Sequence, residues 1–132
     1  MSTGFVIFAH GSRIESANQA VRSIAAETAR AGALSHVVAA FLELGTPSLE
    51  GAVDTLLAQG AGRIVVIPYF LTLGVHLERD LPRIVEGISR ARNGLRIEVT
   101  APLDGHPALV QILLDRAESR GEPLSESCST NT

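Results

Sequence analysis

Cysteine occurs once in this sequence, at Cys128 in a polar tail, so the chain cannot close an internal disulfide. The same count excludes a cysteine-ligated iron–sulfur centre and fits a reducing compartment. Basic residues are also scarce. Lys and Arg number 11 against 14 Asp and Glu, giving a net charge of −3 and a pI near 5.8. No nucleic acid and no anionic membrane surface is therefore expected as the main partner, because both need a concentrated basic face. No apolar stretch approaches the roughly 20 residues that cross a bilayer. The N-terminus shows neither a basic lead nor a cleavage site, and Phe5–Ala9 already reads as a core strand. A cytoplasmic protein is expected.

What the sequence does have is apolar surface in a regular rhythm. Hydrophobic residues fill 45% of its 132 positions, enough for one substantial core. Four short apolar runs, Gly4–Ala9, Val37–Leu42, Arg63–Pro68 and Arg96–Ala101, alternate with four longer helical patterns. The first three runs are nearly continuous in apolar residues, as strands covered on both faces should be. In the fourth, Ile97, Val99 and Ala101 alternate with Arg96, Glu98 and Thr100, which marks a wet sheet edge.

The helical patterns carry their own punctuation. Ile14, Ala17, Val21, Ile24, Ala25 and Thr28 trace the first helix, with Ser12 and Glu15 spaced as a capping box and Gly32 at its end. The second opens with Thr46 as N-cap and Pro47 at its first position, buries Leu49, Val53, Leu56 and Leu57, and stops near Gly60. The third buries Leu81, Ile84, Val85 and Ile88. Because Pro82 suits only a first turn, its regular part is expected to begin near Asp80. The fourth starts at Pro107, buries Leu109, Ile112, Leu113 and Ala117, and ends at Gly121. Strict alternation predicts an α/β fold: a four-stranded parallel sheet in the order 2-1-3-4 with helices on both faces. One domain over residues 1–121 is expected, followed by a Ser/Thr/Glu-rich tail, 122–132, without fixed structure.

Open parallel sheets bind ligands beyond the carboxyl ends of their strands, where strand order reverses. The first strand delivers His10 there, the second Glu43, and the third leads through a loop to His76. Two imidazoles and a carboxylate are the donor set of an open site for a borderline divalent metal. Singly, each has an ordinary explanation as a solvated residue or a cap; three on one rim argue for function. Gly11, Gly45 and Gly74 free the loops of this rim. Helix N-termini at Ser12, at Thr46 and near Asp80 aim N–H groups at the same edge, and Arg13 and Arg79 can add charge-assisted bonds to carboxylates. Leu42, Phe70, Leu71, Leu73 and Val75 serve either as core or as the wall of an apolar cleft. His36 falls at the opposite end of the sheet. His106, before Pro107, is read first as a helix cap and second as a lateral pocket residue.

Three motifs then point to a family. "AHGSR" at 9–13, "FLE" at 41–43 followed by "TPSL" at 46–49, and "PYFLTLGVHLERDLP" at 68–82 make the chain similar to the sirohydrochlorin chelatases. It resembles most the short single-domain CbiX-type cobaltochelatases and their ferrochelatase and nickelochelatase relatives. The likeness runs from about residue 5 to 120 and rests chiefly on the third motif. It implies insertion of Co2+, Fe2+ or Ni2+, with cobalt favoured, into sirohydrochlorin, a polycarboxylated tetrapyrrole of the cobalamin, sirohaem and F430 pathways. It implies that His10 and His76 hold the metal and take up protons, with Glu43 as third ligand or base. Contacts to the ring are expected from Gly11, Ser12, Arg13, Leu42, Thr46, Leu71, Gly74, Val75 and Arg79. No organic cofactor is implied, and a homodimer is. The histidine-rich segment of some relatives is missing, so no metal-storage arm is expected.

Two other readings compete. A hydrolase using Ser12 beside His10 is disfavoured, because adjacent residues seldom align as nucleophile and base and no G-x-S-x-G elbow occurs. A non-catalytic carrier of metal or tetrapyrrole with the same pocket remains the alternative.

Overall fold

The structure, a computed structural model, describes residues 2–119. Its elements run β1 (Ser2–Ala9), α1 (Glu15–Ala31), β2 (Val37–Phe41), α2 (Leu49–Ala58), β3 (Ala61–Pro68), α3 (Gly74–Arg90), β4 (Arg96–Val99) and α4 (Ala108–Glu118). The strands form one parallel sheet in the order β2-β1-β3-β4, as expected. The expected tail, 122–132, lies outside the described residues.

Alternation along β1 explains its unbroken apolar run. Val6 and Phe8 face one way, into the larger core with Leu49, Val53 and Leu56 of α2 and Leu81, Val85 and Ile88 of α3. Ile7 and Ala9 face the other way, toward Ala25 and Val21 of α1. Successive side chains of a strand point to opposite faces, so a strand covered on both sides needs apolar residues throughout. Among the described residues β4 pairs only with β3, and its Arg96 is exposed, as an edge strand requires.

Local details differ at three helices. Ile14, not Ser12, stands at the N-cap of α1, and Glu15 pairs with Arg22 rather than closing a capping box. The reason is Asn18, which grips the Ser12 N–H and carbonyl and holds Ser12 outside the helix. Ser48, not Thr46, caps α2: its Oγ accepts the Gly51 N–H at 3.1 Å. Pro47 cannot be the first helical residue because its carbonyl accepts the Phe41 N–H at 2.9 Å and so belongs to the strand edge. α3 begins at Gly74 rather than near Asp80, with Pro82 inside it. Pro82 and Glu78, the residue whose carbonyl loses its partner, both lie on the exposed side, where that loss is least costly.

The fourth helix departs furthest. No residue of α4 is buried, and Ile112 and Leu113, expected in the core, are 48% and 68% exposed. Leu109 is half-buried and Ala117 exposed, and the helix stops at Glu118, short of Gly121.

Candidate metal and macrocycle site

The carboxyl ends of β1 and β3 and the first turns of α3 enclose a cavity of about 440 Å³. His10, released from the sheet at the end of β1, and His76, in the first turn of α3, both line it. Leu42, Phe70, Leu73, Gly74 and Val75 share the lining. The early start of α3 changes the chemistry of this wall. His76 and Asp80 stand four residues apart on one helix, so both reach the same cavity. In the sequence, Pro82 marks Asp80 as a helix start and so hides its spacing to His76.

The imidazoles are held in opposite senses. His10 Nδ1 lies 3.1 Å from the Gly11 carbonyl. A carbonyl only accepts, so Nδ1 carries the proton and the Nε2 lone pair is free for a metal or a proton. His76 Nδ1 faces Arg79 Nη2 at a long 3.4 Å. A guanidinium only donates, so here Nδ1 is the acceptor, and His76 offers this lone pair to a metal or a proton once Arg79 turns aside.

Glu43 does not line this cavity. Its backbone N–H donates to the His10 carbonyl at 3.0 Å, and its carboxylate stands exposed on the rim. Among the described residues no three His, Cys, Asp or Glu side chains converge as a set that can hold a metal. The expected His10–His76–Glu43 triad is thus two histidines in one cavity, with Glu43 outside. Gly11, Ser12, Arg13 and Thr46 likewise stand outside it; Arg79 reaches His76 only from the helix side. Leu71 and His106 line a separate cavity against α4, where His106 Nδ1 accepts the Ala108 N–H at 3.0 Å as a cap. Ser12 Oγ accepts the Ile14 N–H at 3.0 Å and makes no bond to His10, which removes the support for a hydrolytic pair. His36 sits at the opposite sheet end beside Gln59.

Two features hold the rim in shape. Gly11 has φ +96, and a Cβ there would lie 1.7 Å from the Glu43 carbonyl oxygen, so only glycine lets the two loops touch. Asn18 is buried, at 2% exposure, and its amide ties both loops together. It accepts from Ser12 N at 2.9 Å and donates to the Ser12 and Leu44 carbonyls at 2.8 and 3.0 Å. The signal for it was a polar residue on the apolar stripe of α1, four residues after Ile14.

The sequence profile of the CbiX family matches residues 4–120. The chain belongs to that family. A sirohydrochlorin cobaltochelatase of Methanopyrus kandleri is 31% identical over 138 residues, covering 89% of this chain and 96% of the relative. The chloroplastic sirohydrochlorin ferrochelatase of Arabidopsis thaliana is 31% identical over 115 residues, covering 87% of this chain and 51% of the relative. This CbiX-family chain therefore spans about half of the plant protein and nearly all of the archaeal one. Among solved structures, a CbiX protein from Marinobacter aquaeolei VT8 superposes with a TM-score of 0.78 at 27% identity, covering 89% of this chain and 96% of that one.

Proposed function

We propose that this chain is a sirohydrochlorin chelatase, which inserts a divalent metal into the tetrapyrrole and releases two pyrrole protons. The observation that carries the reading is the pairing of His10 and His76 in one largely apolar cavity at the carboxyl ends of the sheet. Two neutral imidazoles hold a borderline cation yet release it, unlike a closed four-ligand site. As the metal passes to the ring nitrogens, each freed imidazole accepts a pyrrole proton. Asp80 is the carboxylate inside the cavity, and Glu43 acts from the rim. The metal is substrate here, with cobalt favoured over iron and nickel because most of the short relatives are named cobaltochelatases. A second copy of the chain completes the wall over a broad flat ring, a reading supported by relatives about twice this length.

The test mixes protein, sirohydrochlorin and Co2+ and follows the absorbance change against an enzyme-free control. His10→Ala and His76→Ala should each slow insertion by roughly 100-fold or more while leaving the melting temperature in place. Wild-type rates in both variants at limiting metal would overturn the assignment. A spectral shift without faster insertion would make the chain a carrier.

A further inference from the structure

A second cavity, of about 390 Å³, continues the first along α3. The two share Leu42 and Ile84, so they form one groove with the histidines at one end. Its far half is floored by the buried Phe8, Phe41, Leu49 and Ile88. On α3, His76, Asp80, Arg83 and Gly87 follow at steps of four, three and four residues and therefore share one face. From His76 to Gly87 this face runs about 16 Å.

Two residues set the character of the far half. Arg83 is exposed and has no hydrogen bond or ion pair among the described residues. The other polar groups there are committed: Glu50 is paired with Arg92 at 3.1 Å, and Ser48 Oγ caps α2. Arg83 is thus the free charge of the groove, and it is positive. Among the described residues Gly87 has nothing within 4 Å of a would-be Cβ, and its φ does not demand glycine. A glycine in mid-helix weakens the helix without a backbone reason, and its effect here is to leave the groove open.

We propose that this groove is a subsite for the edge of the macrocycle, with Arg83 gripping one peripheral carboxylate and Gly87 leaving room for the pyrrole that bears it. The inference rests on the chelatase reading. Continuity with the histidine cavity and the charge of Arg83 both point to a flat, apolar, anionic ligand rather than to a helix or a strand of a partner.

The experiment uses Arg83→Ala, Arg83→Lys and Gly87→Leu in the full chain. Steady-state Co2+ insertion with sirohydrochlorin varied is measured beside equilibrium titration of the metal-free ring. Arg83→Ala should raise KM and the ring Kd roughly tenfold with kcat within about twofold, since one charge-assisted bond is lost. Lysine should restore part of the loss. Gly87→Leu should weaken the ring similarly by filling the groove, with a melting temperature equal to or above wild type because the helix loses a glycine; Co2+ affinity should stay unchanged in all three. Unchanged ring affinity in both Arg83→Ala and Gly87→Leu would overturn the subsite. If wild-type protein binds the ring without inserting metal, the chelatase reading falls, and weaker binding by Arg83→Ala still upholds the groove. If wild-type protein does not bind the ring, both fall.

Discussion

Asn18 shows how one amide fixes the rim of the candidate site. Its three hydrogen bonds tie the turn after His10 to the turn after Glu43, so neither loop can shift alone. Asn18→Leu would leave the Ser12 N–H and the Ser12 and Leu44 carbonyls without their partner. A loss of about 1–3 kcal/mol in urea unfolding is expected, with slower insertion as the rim loosens. Within the cavity, Asp80→Asn should lower kcat more than Glu43→Gln, because only Asp80 shares the space with both imidazoles. The reverse order, read from paired progress curves, would return the principal carboxylate to Glu43. His10 was legible because an apolar run ended abruptly in it, and His76 because its loop followed another such run. Asp80 was hidden by its neighbour: Pro82 suggested a helix start, which disguised the four-residue spacing to His76.

At the scale of elements, α3 is both a wall of the site and a pillar of the core, and it is fastened at its far end. Arg92, just past that end, reaches Asp54 of α2 through two bonds of 2.7 and 2.9 Å, and also Glu50. The guanidinium holds the Asp54 carboxyl below its ordinary value of 3.8, and Arg63 across the β3–β4 pair does the same for Glu98. Each folded-state value is lowered, so in acid the unfolded chain binds protons more readily than the folded one. The stabilisation is complete above the ordinary carboxylate range and is lost as pH falls through the folded values. Asp54→Asn should therefore flatten the fall in melting temperature between about pH 5 and about pH 2, as thermal melts across that range would show. A fall as steep as in wild-type protein would remove this clamp from the account. Nothing in the sequence announced the clamp, because Asp54 and Arg92 are 38 residues apart and meet only once α2 and α3 lie side by side.

For the molecule as a whole, α4 is the element whose place the sequence least foretold. Its apolar period was read as a buried face, yet Val110, Ile112, Leu113 and Leu114 are 48–68% exposed, beside an equally open Leu71. Periodicity reports that a helix has an apolar face; it does not say whether this chain or another covers it. The other three helices were placed correctly because strand alternation leaves them only the two faces of one sheet. Light scattering at micromolar concentration should report twice the 13.9 kDa chain mass. Leu113→Glu and Val110→Glu together should shift it toward one chain mass. A wild-type monomer that inserts metal at full rate would remove the dimer from the mechanism.

In the proposed mechanism the two imidazoles would also balance charge. A divalent cation would leave for the ring while two protons come back, one to each ring nitrogen that the metal vacates. The pocket would then hold the same total charge before and after the transfer. Turnover would become an antiport in miniature, in which the next metal enters only as the two protons depart to solvent.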